Sequence, residues 1–261
     1  MKRILNIALK FILVTGIMLL FVFANNKQEQ VICPEFVVEL NYGSGDALVS
    51  RYYIRQLVTE SKIRVKGQPL GSIPLDKIHK VIAASPFVKD VNVSMDVNGL
   101  VRANVNQREP IVRIIDENGK HFYLDRDGYR IPLSHEYPAR VVVANGKINS
   151  DRKSSNSKLK TEQVTYKNLS PDLQKVYKTA SYLQRDEFLK ALAEQIYLDH
   201  FGEIELIPKI GDYTILVGDT TLFSEKFEKL KAFYSVGNSK LLSAEYKTVN
   251  LKYRDQIVCK K

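Results

Sequence analysis

The side chains in this chain suited to chemistry are four histidines, two cysteines and one acidic turn, and their spacing supports little of it. His79, His121, His135 and His200 are scattered, without the three- or four-residue interval that sets two imidazoles on one helix face for a metal. Asp125-Arg126-Asp127-Gly128 opens like a calcium loop but lacks the third acidic ligand and the closing glutamate, so it predicts a tight turn. No Gly-x-Ser-x-Gly elbow and no phosphate-cradling glycine loop occurs. Asp125, Asp127 and Glu203 would meet only if the fold brought them together. The prediction is a protein that is not an enzyme, with no cofactor and no metal site. Cys33 and Cys259 lack C-x-x-C spacing, and they pair only if the chain ends approach within disulfide reach.

Charge narrows the field in the same direction. A formal net charge of +10 over 261 residues admits anionic partners, but the cations are spread along the chain with only a modest concentration in Lys147 to Lys167. That pattern reads as a solvated basic surface and predicts no nucleic-acid partner.

The elements that must position these residues are organised around Val88 to Asp125. Val91, Val93, Met95 and Val97 alternate with polar residues, Asn98-Gly99 supplies the turn, and Val101, Ala103 and Val105 resume the alternation: a β-hairpin. Pro110 removes an amide donor and holds Glu109 extended, so the ladder stops there and Ile111 to Ile115 starts another sheet. Arg108 and Pro110 are therefore the expected interdomain junction.

At the N-terminus, Met1-Lys2-Arg3 is basic and Ile4 to Ala24 is a largely apolar stretch broken by one charge, Lys10. A helix of about 20 such residues matches the hydrocarbon thickness of a bilayer. It predicts one transmembrane span with a cytoplasmic N-terminus and the bulk of the chain exported; the alternative is a cleaved signal peptide ending near Val22-Phe23-Ala24. After a linker over 25–33, a strand at Pro34 to Leu40, a helix at Ser50 to Ser61, a second helix at Leu75 to Ala84 and the hairpin make an α+β unit over 34–108.

From Ile111 the texture is of short strands. They are expected at Ile111 to Ile115, His121 to Leu124, Ala139 to Ala144, Glu203 to Ile207 and Tyr213 to Val217. A helical pattern over Pro171 to Ile196, broken near Asp186, and another over Leu222 to Val236 supply the cover. A polar insertion lies near 147–170. One long strand, Ala244 to Cys259, closes the chain and leaves its outer edge uncovered.

Several segments together resemble the bacterial cell-division family FtsQ/DivIB: the basic start and single span, Ser85-Pro86-Phe87-Val88-Lys89-Asp90-Val91, Asn98-Gly99-Leu100, Gln107-Arg108-Glu109-Pro110-Ile111, Phe122-Tyr123-Leu124-Asp125-x-x-Gly128, and Val249-Asn250-Leu251-Lys252-Tyr253. The resemblance implies a single N-terminal transmembrane helix, a POTRA domain, then a C-terminal mixed β domain with helices over 109–261. It implies a non-enzymatic scaffold in the inner membrane, C-terminus periplasmic, enriched at the division septum. Its partners would be FtsB-like and FtsL-like bitopic proteins. In the family the last strand takes up a strand of FtsB, with a basic residue and a tyrosine important there. That places partner binding at Val249, Leu251, Lys252 and Tyr253, with Lys252 standing where the family often has arginine. The competing readings are a POTRA-type chaperone or transport module and a cell-envelope enzyme.

Overall fold

The computed structural model describes residues 10–19, 30–96, 98–150, 169–243 and 246–261. Residues 10–19 are helical, with Phe11, Ile12, Leu13, Ile17 and Met18 exposed. No helix among the described residues is long and apolar enough to cross a membrane. Most of the expected span over 4–24, and its choice between anchor and cleaved signal, lies outside them.

The chain forms two compact units. One holds Val49–Gln107 with the chain up to Asn41, and the other holds Arg108–Lys261 with Tyr42–Leu48.

In the first unit, β1 (Phe36–Asn41) is followed by α1 (Arg51–Glu60), α2 (Leu75–Ala83), β2 (Val88–Met95) and β3 (Val101–Gln107), in the sheet order β1-β3-β2. Ser50 caps α1 by accepting from the Tyr53 amide at 3.2 Å. Both helices bury residues four apart, Ile54 with Val58 and Ile78 with Ile82, and the central strand buries Val101, Ala103 and Val105. Gly99 takes φ +81° in the β2–β3 turn, the conformation the Asn-Gly pair predicts.

Among the described residues of the second unit nine strands form one sheet. They are β4 (Pro110–Ile115), β5 (His121–Asp125), β6 (Arg130–Ile131), β7 (Val142–Gly146), β8 (Ala193–Leu198), β9 (Ile204–Pro208), β10 (Thr214–Gly218), β11 (Thr248–Asn250) and β12 (Val258–Lys260), in the order β12-β11-β10-β9-β8-β7-β4-β5-β6. Helices α3 (Pro171–Leu183), α4 (Glu187–Leu192) and α5 (Phe223–Ser243) belong to the same core, which gathers Val112, Ile114, Leu124, Leu173, Val176, Ile196, Leu206, Ile215, Phe227 and Val249.

Four expectations change. The strand expected from Ala139 begins at Val142, because the Ala139 amide donates to the Tyr123 hydroxyl at 3.2 Å and the Arg140 amide to Asp46 at 2.7 Å instead of to a neighbouring strand. The helix expected to run to Ile196 ends at Leu192, and Ile196 lies in β8 between β7 and β9. The polar insertion contracts: Ile148, Ser150, Leu169 and Ser170 are buried, with Ser170 capping α3, and 151–168 lies outside the described residues. Finally, the long closing strand is two short strands, β11 and β12, joined by a turn.

Candidate partner-binding edge

Apolar side chains pin β11 from below while hydrogen bonds hold it from both sides. β10 pairs with it in parallel and β12 folds back antiparallel, setting Val249 against Cys259 and Asn250 against Val258. Val249 and Leu251 are fully buried in the core, and the Leu251 amide donates to the Leu216 carbonyl at 2.9 Å. Of the expected site, Val249 and Leu251 are therefore buried, and β11 is paired on both sides.

Beyond Leu251 the chain leaves the sheet, and four sets of contacts fix its course. The Lys252 amide donates to Asn250 Oδ1 at 2.9 Å. The Lys252 ammonium grips Glu203 at 2.7 and 3.0 Å, which holds it above the usual lysine value. Its stem passes over Gly218, where a Cβ would stand 3.0 Å from it. From α5, the Lys229 ammonium donates to the carbonyl of Arg254 at 2.9 Å and also to that of Tyr253. These carbonyls lie in the turn between β11 and β12, so a cation satisfies what no ladder does. Tyr253 is left half-exposed at the surface.

Among the described residues Val258–Lys260 then forms the outermost strand, bonded to β11 on one side only. Val258 is 38% exposed. The residues presenting an open backbone edge are thus Val258, Cys259 and Lys260, which the expected site did not include. Their signal is the apolar run Ile257-Val258-Cys259 resuming after the polar stretch Arg254-Asp255-Gln256, the mark of a turn followed by a second strand.

Arg108 and Pro110 lie where β3 has ended and β4 begins. Arg108 donates to Asp125 at 2.9 Å and its guanidinium lies 4.0 Å from the centre of the Tyr129 ring. Pro110 is the first residue of β4 and pairs with Asp125, a strand position where its missing donor is tolerated. The acidic segment is a tight turn, as its composition predicts: Asp125 Oδ1 accepts from the amides of Asp127 and Tyr129, and Gly128 takes φ +82°. Burial pushes the Asp125 carboxyl above its usual value, against the pull of the Tyr129 amide and Arg108.

Another ion pair closes the loop ahead of α5. Lys226, nearly buried, donates to Asp219 Oδ1 at 2.8 Å and holds that carboxyl down from 3.8 to about 2. A depressed carboxyl adds stability above its unfolded value that is lost as pH falls through its folded one. Replacing Asp219 by asparagine should therefore flatten the acid limb of a thermal unfolding profile between about pH 4 and pH 2. The same replacement should leave the neutral-pH slope alone.

Among the described residues no three histidine, cysteine or carboxylate side chains converge to hold a metal ion. Cys33 and Cys259 are both unpaired.

A small α+β module followed by a mixed sheet that ends on an open strand defines a two-domain protein of the POTRA and β-domain type. Residues 31–106 match the model of a POTRA-like domain, and residues 109–260, more than half of the chain, match that described as FtsQ/DivIB, C-terminal related. The chain belongs to the FtsQ/DivIB C-terminal related family, and so among the cell-division proteins. No curated protein matches it.

Proposed function

We propose that this protein is a non-enzymatic scaffold of the bacterial division machinery. The apolar stretch 4–24 anchors it in the inner membrane with the N-terminus in the cytoplasm, and both folded units stand in the periplasm at the septum. There the open edge of β12 takes up a strand of an FtsB-like bitopic protein. Together with an FtsL-like protein, this couples septum assembly to peptidoglycan synthesis. Family membership supports the cellular role, and the exposed helical residues at 10–19 support the anchor. The observation that carries the binding mode is that the nine-stranded sheet terminates on a strand with one side unbonded. Half-exposed Tyr253 and the Lys252–Glu203 pair lie on the turn that leads into this strand and supply side-chain contacts beside it.

A photo-crosslinking residue placed at Val258 in living cells should capture a single-span division protein, whereas the same residue at exposed Asn118 should not. Val258→Pro removes a backbone donor from the edge strand and should weaken capture by about ten-fold or more. Equal products from both positions would remove β12 from the mechanism. A fluorescent fusion at the N-terminus should form a mid-cell band, and a diffuse envelope signal with normal division after depletion would remove the scaffold role.

A further inference from the structure

The end of the N-terminal unit where the chain enters it is apolar and basic at once. The Gly67 amide donates to the Cys33 carbonyl and the Cys33 amide to that of Gln68, both at 2.8 Å, and the Leu70 amide donates to the Val31 carbonyl at 2.9 Å. These bonds lay 31–33 alongside 67–70 and leave Val31 44% and Ile32 54% exposed, with Pro69 exposed beside them. The chain from Lys62 to Pro69 carries three cations, Lys62, Arg64 and Lys66, all exposed, and no acid. Among the described residues no ion pair engages any of the three. The carboxylates that flank these segments are already engaged, Glu35 with Arg55 at 3.8 Å, Glu60 with Gln56 at 2.7 Å and Asp96 with Arg102 at 3.2 Å. The β2–β3 turn lies at the same end, since a Cβ on Gly99 would stand 3.2 Å from Val31, and β3 runs away from it to Gln107.

We propose that this end docks on a bilayer surface that carries anionic head groups, with Val31, Ile32 and Pro69 in the interfacial layer and Lys62, Arg64 and Lys66 against lipid phosphates. The inference rests on the membrane anchor proposed above, ending at Ala24. Six residues, 25–30, then separate the anchor from Val31. Even fully extended, they hold it within about 25 Å of the membrane. So short a tether keeps the patch at high effective concentration beside the surface. The attraction itself acts within about 10 Å at moderate salt. Each cation near an anionic surface contributes about five-fold to the equilibrium, so three contribute about a hundred-fold. The tether selects the bilayer over an acidic protein, because the bilayer is always within reach and needs no encounter.

The chain contains no tryptophan, so Ile32→Trp supplies a single reporter. The full chain carrying it is reconstituted into phosphatidylcholine vesicles that include brominated phosphatidylcholine as quencher, with or without about 30% phosphatidylglycerol. Emission should be lower by about two-fold or more in the anionic vesicles than in the neutral ones. Lys89→Trp, at the Gln107 end of the sheet, should be quenched in neither. The triple variant Lys62→Glu/Arg64→Glu/Lys66→Glu, or salt at about 0.5 M, should return Ile32→Trp to its neutral-vesicle emission. Retention on neutral vesicles through an alkaline wash reads the anchor separately; a chain that washes off removes the anchor, and quenching on anionic vesicles still decides the docking. The proposal is overturned by equal quenching of Ile32→Trp in both vesicles, or by quenching of Lys89→Trp to the same degree. It is also overturned by quenching that persists in the charge-reversed protein with native thermal unfolding. Loss of acrylamide access to Ile32→Trp that grows with protein concentration in detergent would give this face to a second copy and overturn it likewise.

Discussion

Replacing Arg108 by methionine should lower the stability of the C-terminal unit by about 3–5 kcal/mol, the cost of leaving a buried charge without its counter-ion. Asp125 is almost wholly enclosed, its side chain 2% exposed, and the Arg108 guanidinium 2.9 Å away is 14% exposed. The turn amides of Asp127 and Tyr129, at 2.9 and 2.7 Å, remain to the carboxylate after the substitution, but the neutralising charge is gone. Burial already raises this carboxyl above its usual value. Without the guanidinium it rises further. An acid whose folded value exceeds its unfolded one holds its proton better in the folded state, so its contribution is fully present at low pH and declines as pH rises through the folded value. The penalty of Arg108→Met should therefore be smaller at about pH 5 than at about pH 8. Adding Asp125→Asn should recover part of the loss, because the amide oxygen still accepts from the turn while no ionised group is buried. Denaturant unfolding at both pH values checks this, and an Arg108→Met variant within about 1 kcal/mol of the parent would show that the pair is dispensable.

What the sequence made legible, and what it did not, follows from the range of the interactions. The β2–β3 hairpin reads directly because its signals are local: alternation, then Asn98-Gly99, whose glycine adopts the positive φ that the turn demands. Helices α1 and α2 read from the helical spacing of Tyr53, Ile54 and Leu57 and of Leu75, Ile78 and Ile82, although the first buries Val58 with Ile54. β8 did not, because it is interior to the sheet and Leu192 and Ile196 fall four apart, the interval of a helix; only pairing with β7 and β9 selects the strand. The hairpin β11–β12 was merged into one strand for a related reason. The carbonyls at its turn are satisfied by Lys229, an α5 residue more than twenty positions earlier, and no local residue announces that contact. Among the described residues the sheet therefore terminates at Val258–Lys260, while Val249 and Leu251 are buried and Lys252 and Tyr253 lie at the surface.

A further consequence of tertiary pairing is that Gly146→Ala should be far more damaging than a glycine in a predicted turn suggests. Asn145-Gly146 has the composition of a loop, yet Gly146 is the last residue of β7 and pairs with Leu198 of β8. It takes φ +99°, and a Cβ there would stand 2.2 Å from the Leu198 carbonyl oxygen and 3.0 Å from that residue's carbonyl carbon and amide nitrogen. The obstacle is backbone, so no rotamer change relieves it; β7 and β8 must part. Gly119 in the same unit isolates the conformational part of the effect, since it takes φ +74° with nothing within 4 Å of its Cβ position. Gly119→Ala should cost about 1–2 kcal/mol, the left-handed penalty alone. Gly146→Ala should add the steric cost of overpacking and reach about 2–5 kcal/mol. Because β7 joins β4-β5-β6 to the run from β8 to β12, the variant should also reduce capture from Val258 by loosening the half of the sheet that carries the edge. Equal destabilisation of the two variants in denaturant unfolding would mean that this seam has slack, and the coupling between sheet centre and partner edge would fall with it.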